Sequence, residues 1–285
     1  MAEDNTWSTQ PSEAVSTTSD LYKRLMGGAA KTEIGQLQIG DYVPDFIAES
    51  TEGEVDFHAS IDGRWGLFVT FHKNFDPVAT TELAALSKLK SDLDERNVEL
   101  IGLACNTRTS HLEWKRETEE LFECTIDFPI VADTDAEIAK SFGLVYPDAT
   151  IPVRGLVPAS LTVLTAPSRR VQWFVYYPAT TGRNFQEVIR VQQALQLSYD
   201  NDLLATGANY MAGEDVFVTP AISAAQAKSS FPKGFVQIKP WFRLTPPPET
   251  TTQDGAADQT SSGIKPMRDG KYQLAVSEAS TLLAI

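Results

Sequence analysis

Two cysteines and three histidines are all that 285 residues offer of the side chains most used for redox and metal chemistry. Cys105 and Cys124 are too few for a disulfide framework and fit a reducing compartment. His58, His72 and His111 have no paired spacing such as His-x-x-x-His, so no metal centre is expected. Positive charge is scarce as well: 24 Lys plus Arg stand against 38 Asp plus Glu, a net charge of −14. That field repels phosphate backbones and anionic lipid, so neither nucleic acid nor a membrane surface is an expected partner. No apolar run approaches membrane-spanning length. The first residues, Met1-Ala2-Glu3-Asp4-Asn5, are acidic where a signal or transit peptide is basic or apolar, and a cytoplasmic protein is the expectation. No glycine-rich phosphate loop follows a strand and no Gly-x-Ser-x-Gly elbow occurs, so no cofactor is expected.

What is present is a chain of alternating patterns between two polar ends. Residues 1–37 are rich in Ser, Thr, Glu and Asp and read as an arm, with a short helical turn over Asp20–Met26. Trp65–Phe71 is a continuous apolar run and reads as a buried strand. Leu83, Leu86, Leu89 and Leu93 then fall on one helical face, in a helix ending at Asn97. Val98–Ala104 reads as a second buried strand, His111–Phe122 as an amphipathic helix and Ala136–Phe142 as a short one. Leu161–Leu164 and Val171–Tyr177 read as strands joined by the turn Ala166-Pro167-Ser168-Arg169, and Asn184–Leu197 as a long helix. Alternation of this kind predicts an α/β fold, a central sheet covered by helices. Beyond Thr245-Pro246-Pro247-Pro248 the chain is polar to about Gly263 and reads as disordered. Residues 270–285 regain apolar character through Tyr272, Leu274, Val276, Leu282 and Leu283, as a segment able to dock back.

Phe75-Asp76-Pro77-Val78-Ala79-Thr80-Thr81-Glu82-Leu83 and Tyr177-Pro178-Ala179-Thr180-Thr181-Gly182-Arg183-Asn184-Phe185 resemble the peroxiredoxin (AhpC/TSA) family, in its one-Cys branch. Gly40–Phe46 resembles the start of that family's core. The resemblance implies a thioredoxin-like domain over 38–198, a small carboxy-terminal domain over 199–246 and a tail over 247–285. It also implies a homodimer, to which Phe217, Phe231, Phe235, Trp241 and Phe242 add a large aromatic supply. The family motif is Pro, three residues, Thr, two residues, Cys, with the cysteine thiolate attacking peroxide and an arginine stabilising its charge. Matched on Pro77-Val78, those positions are His72, Asp76 and Ala79, and the arginine position is Ser160. Glu82 and Arg183 of the family pattern survive. An alanine methyl neither ionises nor forms a sulfenic acid, so the ordinary peroxidase reaction is expected to be absent.

The resemblance also implies a second, phospholipase-type constellation in some one-Cys members. Here the serine position is Arg64 within Asp62-Gly63-Arg64-Trp65-Gly66, the aspartate position is Ser168, and only His58 is retained, so that activity is not expected either. What replaces the chemistry is open between three readings. His72 with Asp76 is material for general acid–base catalysis by an isomerase, cyclase or hydrolase, with Lys73 as electrophile or anchor and a small molecule bound by Ala79, Glu82, Ser160 and Arg183. Alternatively the same residues line a disused pocket in a non-catalytic protein that binds a partner. In the third, Cys105, at the end of the Val98–Ala104 strand, is a displaced redox thiol. A buried cysteine is also a common small hydrophobe, and only Arg108 is near to favour its thiolate. Cys124, next to Glu123, and His111 with Trp114 read as packing residues.

Overall fold

A central strand with no polar face organises the fold. The computed structural model describes residues 37–144, 159–248, 264–266 and 272–274. Strand β3 (Trp65–Thr70) is buried along its whole length because it has a neighbour on each edge and helices on both faces. It pairs parallel with β4 (Val98–Ala104) and antiparallel with β6 (Ala159–Thr165). The seven-stranded sheet runs β2-β1-β5-β4-β3-β6-β7, with β1 (Ile47–Ser50), β2 (Gly53–Asp56), β5 (Ile130–Ala132) and β7 (Val171–Pro178) completing it. The sheet is mixed: β3, β4 and β5 run parallel while the β1–β2 and β6–β7 hairpins lie antiparallel at its sides. This is the thioredoxin-like architecture.

The two-residue period of the strands divides the core. Trp65, Leu67 and Val69, with Phe71 just beyond the strand, face α2 (Pro77–Glu95) and α5 (Phe185–Asp200), where Leu83, Leu86, Leu93, Phe185 and Val188 close the layer. Phe68, Ile101, Leu103 and Val163 face the other way. They meet Phe57 and Ile61, from and just after α1 (Phe57–Ser60), and Ala139 and Phe142, from and just after α4 (Glu137–Ser141). Helix α3 (Arg108–Phe122) sends Trp114 into the first layer. Gly66 is required in β3, because a Cβ there would lie 2.5 Å from Thr165 Oγ1.

Residues rather than propensity alone place the helix ends. Asp76 caps α2 and Pro77 occupies its first position, where a missing N–H costs nothing. The helix stops at Glu95, two residues short of the expected Asn97, which takes a left-handed conformation (φ 56°). Asn184 caps α5 by accepting from Gln186 and Glu187, and the expected hairpin turn closes through Arg169 N–H to Ala166 O at 2.8 Å.

Pattern reading left out the shortest elements. The β1–β2 hairpin has four residues per strand and mixed burial, and β5 has three residues, too few for a period to register. After α5 a second, four-stranded sheet forms in the order β10-β11-β9-β8, from β8 (Leu204–Ala205), β9 (Val216–Val218), β10 (Val236–Lys239) and β11 (Phe242–Thr245). Helix α6 (Ala224–Ser230) packs with it, started by a Ser223/Gln226 capping box. Leu204, Tyr210, Val216 and Val218 form its small core, and Ala194 and Leu197 of α5 pack against that core from the main layer. Strands β12 (Ile264–Pro266) and β13 (Tyr272–Leu274) pair with each other. The expected arm over 1–37 falls, apart from Leu37, outside the described residues, as do most of the tail positions.

Candidate functional site

The loop that leaves β3 and enters α2 is held at two points. Asn74 is buried, its N–H donates to Asn106 Oδ1 at 3.2 Å and its Nδ2 to Ser110 Oγ at 3.0 Å, and its amide meets His111 Nδ1. His111 is wholly buried; its other nitrogen lies 3.2 Å from Val131 O, and burial pushes its pKa down to about 4, so it is a neutral strut. Two residues on, Asp76 closes the loop as the cap of α2. Between them Phe75 is forced into a left-handed conformation (φ 57°) that an aromatic residue rarely adopts, with its ring half-exposed.

Asp76 Oδ1 accepts the Val78 N–H at 2.8 Å and the Ala79 N–H at 3.1 Å. The same oxygen lies 3.3 Å from His72 Nε2. Burial acts to raise the Asp76 carboxyl, but the Ala79 amide, His72 and the Val78 amide outweigh it and hold the carboxyl below its ordinary range. His72 is 5% exposed, and its Nδ1 is buried with no partner. Structure therefore brings His72 and Asp76 together as a carboxylate-oriented imidazole whose other nitrogen is buried and unpartnered. Ala79, one turn into the helix, has no exposed surface and contributes its methyl to the core.

Three residues further along α2, Glu82 meets Arg183 of the loop before α5. Arg183 Nε and Nη2 donate to Glu82 Oε1 and Oε2 at 2.8 and 2.6 Å, and the Arg183 backbone N–H reaches Oε1 at 2.9 Å. Nη1 donates to Leu161 O and Thr162 Oγ1, both at 3.1 Å. The guanidinium also lies 5.6 Å from the Phe71 ring centroid and 5.3 Å from that of Phe185. Ser160 is buried on β6 beside these anchors, and Lys73 is exposed. Thr162, Asn74 and His111 hold this region together across separations of 21 and 37 residues, which no local motif announces.

The remaining sequence candidates lie apart. Cys105 is buried and its thiol reaches Asp133 Oδ2 at 3.8 Å; burial and the nearby Asp133 and Asp135 charges push it up to about 12. Cys124 is half-buried at the edge of the first core layer. His58 is held between Val43 O at 2.9 Å and Asp45 at 3.4 Å, and Arg64 is ion-paired with Glu99. Ser168 is exposed in the β6–β7 turn. Among the described residues no three His, Cys, Asp or Glu side chains converge as metal ligands.

A sequence model of the AhpC/TSA family matches residues 39–160. A 1-Cys peroxiredoxin of Dictyostelium discoideum is 38% identical over 214 residues, covering 74% of this chain and 86% of its own. Human peroxiredoxin-6 is 35% identical, covering 75% of this chain and 99% of its own. The chain belongs to the peroxiredoxin family, in its one-Cys branch. Among solved structures, a mutant peroxiredoxin 6 of Arenicola marina superposes with a TM-score of 0.68 at 34% identity, over 75% of this chain and 100% of that one. A yeast mitochondrial 1-Cys peroxiredoxin gives 0.67 at 32%, over 74% and 100%. The peroxiredoxin fold thus accounts for both sheets, and no helix among the described residues is long and apolar enough to cross a membrane.

Proposed function

We propose that this peroxiredoxin has given up thiol peroxidase chemistry and that the rebuilt start of α2 serves a non-redox role, binding a small organic molecule. The observation that carries this reading is the state of position 79: a wholly buried alanine whose N–H is already taken by the Asp76 carboxylate. A helix amino terminus stabilises an anion such as a thiolate, and here the chain's own anion occupies it. Arg183 offers no replacement, because its Nε, Nη1 and Nη2 all donate to Glu82, Leu161 and Thr162. Cys105 does not substitute either. A thiol at about 12 is ionised on the order of once in 10⁵ molecules at neutral pH.

Hydrogen peroxide with dithiothreitol, followed by stopped flow and by mass spectrometry of both cysteines, tests the loss. Consumption at the protein-free rate with no sulfenic acid is expected; fast turnover or rapid oxidation of Cys105 overturns the reading. Ala79→Cys alone is expected to give a sluggish thiol, since Asp76 disfavours its thiolate, and Ala79→Cys with Asp76→Thr a much faster one.

A second reading, acid–base catalysis, draws on the His72–Asp76 contact at 3.3 Å and the unpartnered His72 Nδ1. Comparing metabolites in cells with and without the gene identifies a substrate, and His72→Ala and Asp76→Ala must then each abolish its turnover. An unaffected rate in both sinks this reading. A homodimer and a cytoplasmic location complete the proposal. The aromatic residues of the second sheet, with Trp241 exposed, support the first, and the two free cysteines, Cys105 and Cys124, fit the second.

A further inference from the structure

Among the described residues two arginines are buried, Arg183 at 8% exposed and Arg243 at 6%. Arg183 shows how this protein satisfies a guanidinium taken out of water. Its Nε–Nη2 edge grips both oxygens of the Glu82 carboxylate, at 2.8 and 2.6 Å, and Nη1 donates to the backbone at Leu161 O, at 3.1 Å. Arg243 has the second half of that arrangement without the first. Its Nη1 donates to the backbone at Ile222 O, at 2.7 Å, and this is its one hydrogen bond to a described residue. Its Nε is buried and has no partner, and no carboxylate among the described residues is paired with it.

Strand β11 puts the side chain where it is. Positions alternate between faces along a strand, so Arg243 shares a face with Thr245, which stands opposite Val216 of the small core. From that face the guanidinium reaches the loop between β9 and α6, where Ile222 lies. An arginine keeps its charge wherever it is placed, so burial here costs hydration and returns only one carbonyl contact. A planar pair of N–H donors matches the two oxygens of a carboxylate or phosphate, and Nε with Nη2 is the pair that Arg183 uses for Glu82.

We propose that Arg243 is the receptor of a small free oxyanion, a carboxylate or phosphate group, held on its Nε–Nη2 edge as Arg183 holds Glu82. The site belongs to the second sheet and is independent of the role of His72 and Asp76. The full chain is titrated with sodium phosphate, sodium acetate and sodium chloride at matched ionic strength. NMR follows the Nε–H signal of Arg243, assigned through bonds and by its loss in Arg243→Lys. Phosphate or acetate is expected to move that signal to a saturating position, and chloride to leave it in place. In about 50 mM of the binding anion the melting temperature is expected to rise by about 2–4 °C over chloride. Arg243→Lys keeps the charge without the planar fork and is expected to lose that rise. A signal that neither phosphate nor acetate moves to saturation overturns the proposal, as does an equal melting increment in Arg243→Lys. A shift that grows with protein concentration in chloride alone also overturns it, because the oxygens then come from a second copy. Should Arg243→Lys fail to fold, the titration of the parent chain decides by itself.

Discussion

Two side-chain pairs each place a carboxylate near Ala79, Asp76 at the start of α2 and Glu82 within it, and are built on opposite terms. Glu82 and Arg183 are closed: their side chains are 3% and 1% exposed, both carboxylate oxygens accept, and Nε, Nη1 and Nη2 all donate. His72 and Asp76 are open: Asp76 is 29% exposed, their contact is longer, and His72 keeps a buried nitrogen without a partner. The first pair ties α2 and the loop before α5 to β6 and is architecture. The second ties only the end of the loop to the first turn of α2, through Asp76 and the Val78 and Ala79 amides.

The sharpest way to break the contrast is to remove half of the closed pair. Arg183→Met leaves the Glu82 carboxylate buried and uncompensated, and a loss of about 3–5 kcal/mol in urea unfolding is expected. Glu82→Leu combined with Arg183→Met is expected to recover much of that loss; a double variant as weak as the single one would show that packing, not charge, was lost.

Acid tests the histidines next. His111 is held at about 4 in the fold against 6.5 in an open chain, so the unfolded state binds the extra proton between those values. Stability is then expected to fall as pH drops from 6.5 toward 4, by about 3 kcal/mol in all. Glu99 and Asp133, whose carboxyls are raised first of all by burial, act in the opposite sense at the acid end. Proton NMR titration of the His111 ring checks it, and an ordinary histidine titration there would refute the strut.

The smallest effect is at the open pair. Asp76→Ala removes the cap of α2 and is expected to cost about 1 kcal/mol, whereas Asp76→Asn keeps an accepting oxygen and costs less. Because the Asp76 carboxyl is held low, its stabilisation is present above the ordinary aspartate range and lost as pH falls through the lowered value. Asp76→Asn is expected to flatten that last acid limb.

Sequence by itself determined the longer strands of the central sheet, β3, β4, β6 and β7, and the longer helices that cover it. The apolar runs at Trp65 and Val98 and the leucine face of α2 each act locally, within one strand or a few helical turns, so their periods could be read directly. Tertiary structure alone decided how His72, Asp76, Ala79 and Ser160 are placed. That Asp76 turns its carboxylate onto the Ala79 amide, that His72 is buried with one nitrogen unpaired, and that Cys105 faces Asp133 rather than a cation are outcomes of packing. The same holds for the short β1–β2 and β8–β11 strands. Four residues or fewer carry no usable period, and contacts such as Asn74 to His111 or Glu82 to Arg183 join positions 37 and 101 residues apart, where only the folded chain brings donor and acceptor within reach.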